Sequence, residues 1–199
     1  MSRIVVLISG RGSNMQAVVN ACDSGFIQAE VVSVISNRPD AAGLAFAKQQ
    51  GINTEVCDHT LYPNRDQFDS ELSKLIERAE PDWIVLAGFM RILGDELVQQ
   101  FVGRMINIHP SLLPKYPGLN THARAIAAGD AEHGATVHFV TPELDAGPVI
   151  ENVCVPIHDG DTAETLAARV LTEEHRLLVK VIKRCADGEV HFSPTTACV

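Results

Sequence analysis

An α/β fold built on a doubly wound, mostly parallel sheet is predicted for this chain of 199 residues. Three observations predict it. Over the first two-thirds, short β-rich apolar runs alternate with amphipathic segments, the pattern of a parallel sheet covered by helices on both faces. A glycine-rich turn follows the first apolar run and leads into the first helical segment. In the last third, two strand-like runs are joined by the turn-rich Pro142-Glu143-Leu144-Asp145-Ala146-Gly147-Pro148, which predicts antiparallel strands at the sheet edge.

Residues 3–9 form an unbroken apolar run and read as a buried strand. Residues 13–24 read as a helix opened by Ser13 or Asn14 and closed before Gly25. A second strand is predicted over 30–36, a helix over 41–50 stopped by Gly51, and a short strand over 53–57. Residues 65–79 are amphipathic, with Phe68, Leu72, Leu75 and Ile76 on one helical face. A strand over 83–87, a short helix over 96–101 and a strand over 104–108 follow, and right-handed crossovers are expected between the parallel strands. Strands at 136–140 and 149–155 make the edge pair. A long helix over 162–185 carries Leu166, Val170, Leu177, Val181 and Ile182 at helical spacing. Repeats, linkers and low-complexity tracts are missing from the pattern, so one domain over 1–199 is expected.

Apolar residues make up 46% and charged residues 21% of the chain, the balance of an ordinary globular protein. The net charge of −9 disfavours non-specific binding to nucleic acid but leaves room for a local phosphate pocket. The five cysteines, Cys22, Cys57, Cys154, Cys185 and Cys198, are widely spaced without a CxxC pair. They read as reduced thiols rather than a zinc site or a disulfide frame. The N-terminal apolar run is too short for a signal sequence, and nothing approaches the ~20 apolar residues of a membrane span. A soluble, cytoplasmic protein is expected, with no metal, no nucleic-acid partner and no membrane.

Gly10-Arg11-Gly12-Ser13-Asn14 lies where free backbone N–H groups and a helix dipole favour a phosphate. A dinucleotide fingerprint would place a third glycine at position 15, where Met15 stands. It would also end the second strand on an acid, where the sequence has Ser36-Asn37-Arg38. A single phosphate is therefore preferred to a dinucleotide. A plain tight turn capped by Ser13 or Asn14 would look the same.

Asn107 and His109 end an otherwise apolar strand and share one face of it. Pro110 keeps His109 extended. Ligand crevices of open α/β sheets lie at the carboxyl ends of strands. There an amide can donate to a developing oxyanion and an imidazole can pass a proton, which suits acyl transfer. A lone strand histidine is more often structural; the pairing with asparagine favours function. The proline-rich loop from Ser111 to Gly118 adds a shaped wall. Asp145 would stabilise an imidazolium at His109, although Asp before Ala-Gly in a turn is also ordinary. His138 could face the same crevice or be structural. His59, His122, His133, His158 and His191 read as surface or cap residues.

The stretch NIHPSLLPKYPG, followed by HFVTPELDAGPVI, resembles the folate-dependent formyltransferases. The opening ISGRGSN and the segment LAGFMRIL extend the resemblance over nearly the whole chain. It implies a Rossmann-like formyltransferase fold, with a nucleotide-phosphate half over 1–103 and a catalytic, folate-binding half over 104–199. It also implies direct transfer of a formyl group from the co-substrate 10-formyltetrahydrofolate to the amine of glycinamide ribonucleotide, through a tetrahedral intermediate, in purine synthesis. Asn107, His109 and Asp145 match the catalytic trio. Gly12, Ser13, Asn14 and Glu174 match contacts to the ribonucleotide. Arg65, Met90, Arg91, Ile92, Leu93, Thr141, Pro142, Glu143, Leu144 and Asp145 match the folate side. Small-molecule substrates and a monomer or weak homodimer are expected. Arg11 and Asn120 depart from familiar members of the family. The extra RNA-contacting or regulatory domains of some relatives are not expected. A formyl-folate hydrolase, or a transferase for another amine, would use the same trio. A non-catalytic binding module would keep the loop without needing all three residues.

Overall fold

The computed structural model describes residues 1–193. In chain order the described residues form β1 (Ser2–Ile8), α1 (Ser13–Asp23), β2 (Ala29–Ser36), α2 (Ala42–Gln49), β3 (Asn53–Val56), α3 (Arg65–Arg78) and β4 (Trp83–Leu86). The chain continues through α4 (Asp95–Gln100), β5 (Met105–His109), α5 (Thr121–Ala127), β6 (Glu132–Phe139), β7 (Val149–Pro156) and α6 (Ala163–Ala186). A single 3₁₀ turn occupies His59–Leu61. The sheet order is β3-β2-β1-β4-β5-β6-β7. The pairs from β3 to β5 are parallel, and β6 and β7 run antiparallel. This is the predicted mostly parallel sheet with its antiparallel edge.

Strand parity sorts the core into two layers. Ile4, Val6 and Ile8 of β1 join Val85 and Ile106 on one face, beneath α1, α2 and α6. Val5 and Leu7 join Ile84, Leu86 and Met105 on the other, beneath α3 and α4. Both faces of β1 are therefore dry, which is why its sequence runs apolar instead of alternating. Phe68 on α3 is 1% exposed, and burying such a ring contributes about 1.5–3 kcal/mol. The stripe predicted on α6 is buried throughout and includes Leu178 as well. Thr162 and Thr165 cap each other's backbone at its start.

Several boundaries differ from the sequence reading, each for a local reason. Gly12, at φ 71°, caps α1 with no side-chain hydrogen bond. Ser13 and Asn14 lie inside the helix rather than opening it, and the Asn14 amide is turned to another partner. Strand β5 includes His109, and β6 begins at Glu132, four positions before the predicted start. The early part of β6 reads Glu-His-Gly-Ala and shows no alternation. It is a strand because Gly134 lets β7 come close: a Cβ there would stand 1.9 Å from the Val153 carbonyl oxygen. Helix α5 escaped prediction, since only Thr121 and Ala125 of it are buried.

Among the described residues four cysteines are unpaired, as expected; Cys198 lies outside them. Burial pushes the Cys57 thiol up to about 11 and the Cys185 thiol up to about 12, so both stay protonated and inert. Among the described residues no helix is long and apolar enough to cross a membrane.

Candidate functional site at the end of the fifth strand

Asn107 and His109 share the parity of Met105 and so face the α3–α4 side of the sheet. Across the ladder they stand opposite His138 and Thr136 of β6. Cross-strand partners lie on the same face, so His138 joins the site. The Asn107 amide nitrogen is 3.1 Å from His138 Nε2. His138 Nδ1 is 2.9 Å from the Phe139 carbonyl oxygen, which requires the proton on Nδ1. Nε2 then accepts from Asn107. Burial holds the His138 imidazole below its ordinary range, consistent with this neutral form. Although His138 Nε2 is 3.7 Å from Asp145 Oδ1, a neutral ring makes this a contact rather than an ion pair. One Asn107 N–H is thereby committed and the amide plane fixed.

His109 is held at both ring nitrogens. Nε2 donates to the Tyr116 carbonyl at 2.9 Å, and Nδ1 lies 3.5 Å from Asp145 Oδ2. The same Oδ2 accepts the Gly118 N–H at 2.8 Å. The ring thus lies between the Tyr116 carbonyl and the Asp145 carboxylate. The Asp145 side chain is 8% exposed and its backbone sits at φ 52°. Tyr116 and Asn120 share that left-handed region, at φ 56° and 58°. Such outliers gather where surrounding structure holds a site in shape. Asparagine tolerates this backbone better than most residues, a local reason for Asn120 at the start of α5. Sequence reasoning missed the Tyr116 carbonyl and the Gly118 amide; both are backbone groups, which side-chain patterns do not announce.

Across the sheet's carboxyl edge lies the glycine turn. A Cβ on Gly12 would meet Met15 and Gly43 at 3.1 and 3.2 Å, and its positive φ already favours glycine. Asn14 Nδ2 donates to Glu174 Oε2 at 2.7 Å, joining α1 to α6. Both side chains are buried, and Asn14 Oδ1 lacks a partner among the described residues. Asn14, two positions after Gly12, and Glu174 of α6 thus meet beside the glycine turn. Burial pushes the Glu174 carboxyl above its ordinary range, opposed by the Asn14 amide. The fold then binds a proton that the unfolded chain has released, so this group costs stability above the ordinary carboxylate range. Glu174→Gln is expected to stabilise the free protein near neutral pH and to give no gain in acid below that range. Urea midpoints at about pH 4 and about pH 7.5 check the sign.

A cavity opens beside Asn107, lined by Arg91, Ile92, Leu93, Thr141, Pro142, Glu143, Leu144 and Asp145. Leu86, Phe89, Val98 and Val140 form its apolar walls. Arg91 stacks over Phe68 at 5.9 Å, and its buried Nε has no partner among the described residues. Met90 is outside the lining at 64% exposure, with its N–H donated to Ser9 Oγ at 2.7 Å. Ser9 also donates its own N–H to Gly88 O at 3.1 Å and its hydroxyl to Asn37 Oδ1 at 2.5 Å. Ser9, next to the glycine turn in the chain, thus pins the start of the 88–93 loop and Asn37 to the end of β1. Arg65 does not line the cavity. It is exposed at the start of α3, on a separate cleft between α3 and α4.

Two of the remaining histidines correct the sequence reading. His133 is 1% exposed, and its ring packs 5.0 Å from that of His122. His122 sits on α5, a helix the sequence reading lacked, and the Tyr116 ring packs edge-on against His133. Burial pushes the His133 imidazole down to about 4. From the ordinary histidine range down to that value the unfolded chain binds the extra proton, so stability falls with pH across this window. His133→Gln is expected to remove part of that loss, about 3 kcal/mol at most. Urea titrations between about pH 7 and pH 4 check it.

Comparison with known proteins adds to this geometry. A family model described as formyl transferase matches residues 2–182. The phosphoribosylglycinamide formyltransferase of Escherichia coli (strain K12) is 50% identical over 194 residues, 98% of this chain and 92% of that protein. A crystal structure of glycinamide ribonucleotide transformylase 1 from Symbiobacterium toebii superposes with a TM-score of 0.95 at 42% identity, covering 98% of this chain and 92% of that one. A structure of the phosphoribosylglycinamide formyltransferase of Coxiella burnetii superposes with a TM-score of 0.92 at 50% identity, covering 96% and 90%.

Proposed function

The chain belongs to the formyl transferase family, and from that premise we propose that it moves the formyl group of 10-formyltetrahydrofolate onto the amine of glycinamide ribonucleotide, in purine synthesis. The observation that carries the reading is the convergence of Asn107, His109 and Asp145 between the glycine turn and the 141–145 loop. The cavity suits a flat folate ring system. Its walls are apolar, its 141–145 backbone offers polar groups to a ring edge, and Arg91 Nε awaits an acceptor. Bound folate supplies the formyl group, which the ribonucleotide amine attacks directly through a tetrahedral intermediate.

The chain's own residues have separable tasks. Gly12, Ser13 and Asn14 present backbone N–H groups to the phosphate at the start of α1. Arg11 adds a positive charge there; burial, with the nearby Arg11 guanidinium, holds the His175 imidazole below its ordinary range. Glu174, its carboxylate steered by Asn14, receives the ribose hydroxyls. The free N–H of Asn107 and the charged His109 stabilise the developing oxyanion. Asp145 faces and orients the His109 ring, and water relays the amine proton to the leaving nitrogen. Arg91, Ile92, Leu93 and the segment Thr141, Pro142, Glu143, Leu144 and Asp145 hold the folate; the family resemblance also assigns Met90 and Arg65 to the folate side, although neither lines the cavity. Most of the acceleration comes from holding two reactants together. The whole chain acts as one catalytic domain.

Formyl transfer measured by absorbance, with and without glycinamide ribonucleotide, tests the proposal. Deformylation that requires the ribonucleotide, with formylated product recovered, is expected. Deformylation without any acceptor would make the chain a hydrolase and overturn it.

A further inference from the structure

The carbonyl that receives His109 Nε2–H belongs to Tyr116, a non-glycine residue in the left-handed region. That backbone is strained and persists only where neighbours hold it. The Ser111 hydroxyl holds the Lys115 carbonyl at 2.6 Å and the His133 ring packs edge-on against Tyr116, but the polar grip on the two side chains comes from one carboxylate. The Tyr116 hydroxyl donates to Asp130 Oδ2 at 2.8 Å, 14 positions along the chain. The adjacent Lys115 ammonium reaches both oxygens of the same carboxylate at 3.1 Å. Asp130 is itself anchored, since its N–H donates to Ala125 O at 3.2 Å, at the end of α5. Arg124, also on α5, lies over the Tyr116 ring at 5.2 Å and donates to Pro117 O at 2.6 Å.

We propose that Asp130 is a positioning residue for His109. It touches no substrate. By gripping Lys115 and Tyr116 it fixes the left-handed turn, and through the Tyr116 carbonyl it fixes the tilt of the His109 ring. The tie runs from a carboxylate just ahead of β6 to the last residue of β5. The inference rests on the role given above to His109. The carboxylate is 18% exposed, and the Tyr116 hydroxyl and Lys115 ammonium hold it below the usual carboxylate range. It therefore stays an acceptor at working pH.

Two variants test this: Tyr116→Phe, which removes one hydroxyl and keeps the ring, and Asp130→Ala. With both substrates varied, each is expected to lower kcat about tenfold and to leave both KM values within about twofold. The loss of one charge-assisted hydrogen bond corresponds to that factor. The double variant is expected to be no worse than the poorer single one, because both break the same tie. The His109 Nε2–H signal in ¹⁵N-histidine NMR is expected to shift and exchange faster in both variants. Unchanged kcat in both, KM rising at constant kcat, additive losses, or an unchanged His109 signal would overturn the proposal. A wild-type protein without ribonucleotide-dependent transfer would sink the functional reading instead, and the NMR signal would still decide the tie.

Discussion

Replacing Asn107 with alanine is expected to lower turnover by about 10²–10³-fold, the cost of losing one preset oxyanion donor. The effect should fall on kcat, because the ground-state carbonyl asks less of the amide than the charged intermediate does. The fold should survive. The side chain projects from the last turn of the sheet towards a cavity, and its bonding partner within the protein is His138. Removing it orphans the His138 Nε2 acceptor, a penalty of about 1–3 kcal/mol unless water enters from the cavity. Steady-state rates at saturating levels of both substrates, with a melting curve on the same sample, check both halves. Near-normal turnover in the Asn107→Ala enzyme would contradict the proposed mechanism.

Gly147→Ala has the largest effect expected on stability. A Cβ at this position would stand 1.8 Å from the Phe139 carbonyl oxygen and 2.8 Å from its carbon. These are backbone atoms, and the Phe139 N–H is bonded to Pro148 O at 2.9 Å, so neither side can yield without opening the ladder. Replacing glycine by alanine ordinarily stabilises slightly by restricting the unfolded chain. Here the sign reverses and roughly 3 kcal/mol or more is lost. Because Asp145 lies two positions earlier, turnover should fall with stability. The urea midpoint of the variant decides; one equal to the parent's would contradict the packing described at the β6–β7 turn.

Where the sequence could be read, it was read through periodicity. The unbroken run of β1 and the spaced leucines and valines of α6 announce their burial, and so those elements fell into place. Asn107 and His109 were legible because polar residues of like parity interrupted an apolar strand. His138 stayed undecided because its face depends on the register between β5 and β6, which a single strand does not encode. Helix α5 and the start of β6 were illegible for a different reason: small and polar residues form them, and neighbouring elements decide their state. The burial of His133 followed from that missing helix. The cap at Gly12 displaced the expected Ser13 or Asn14 because the Asn14 amide spans to Glu174, 160 residues away. Arg65, assigned by resemblance alone, lies on a cleft of its own.

The place of β1 bears on how a nascent chain acquires its site. β1 pairs with β2 soon after both exist, but its other neighbour is β4, with the Arg3 N–H bonded to Asp82 across 79 residues. Closing so long a loop costs entropy that only the finished pairing repays. Ser9 sits at the end of this late seam, beside the glycine turn and bonded to Gly88 and Met90 of the loop after β4. A ribosome-bound fragment ending before β4 therefore carries neither loop in its working shape. Asn107, His109, Asp145 and Glu174 lie later still in the chain, so the site is completed only after the β1–β4 seam can form.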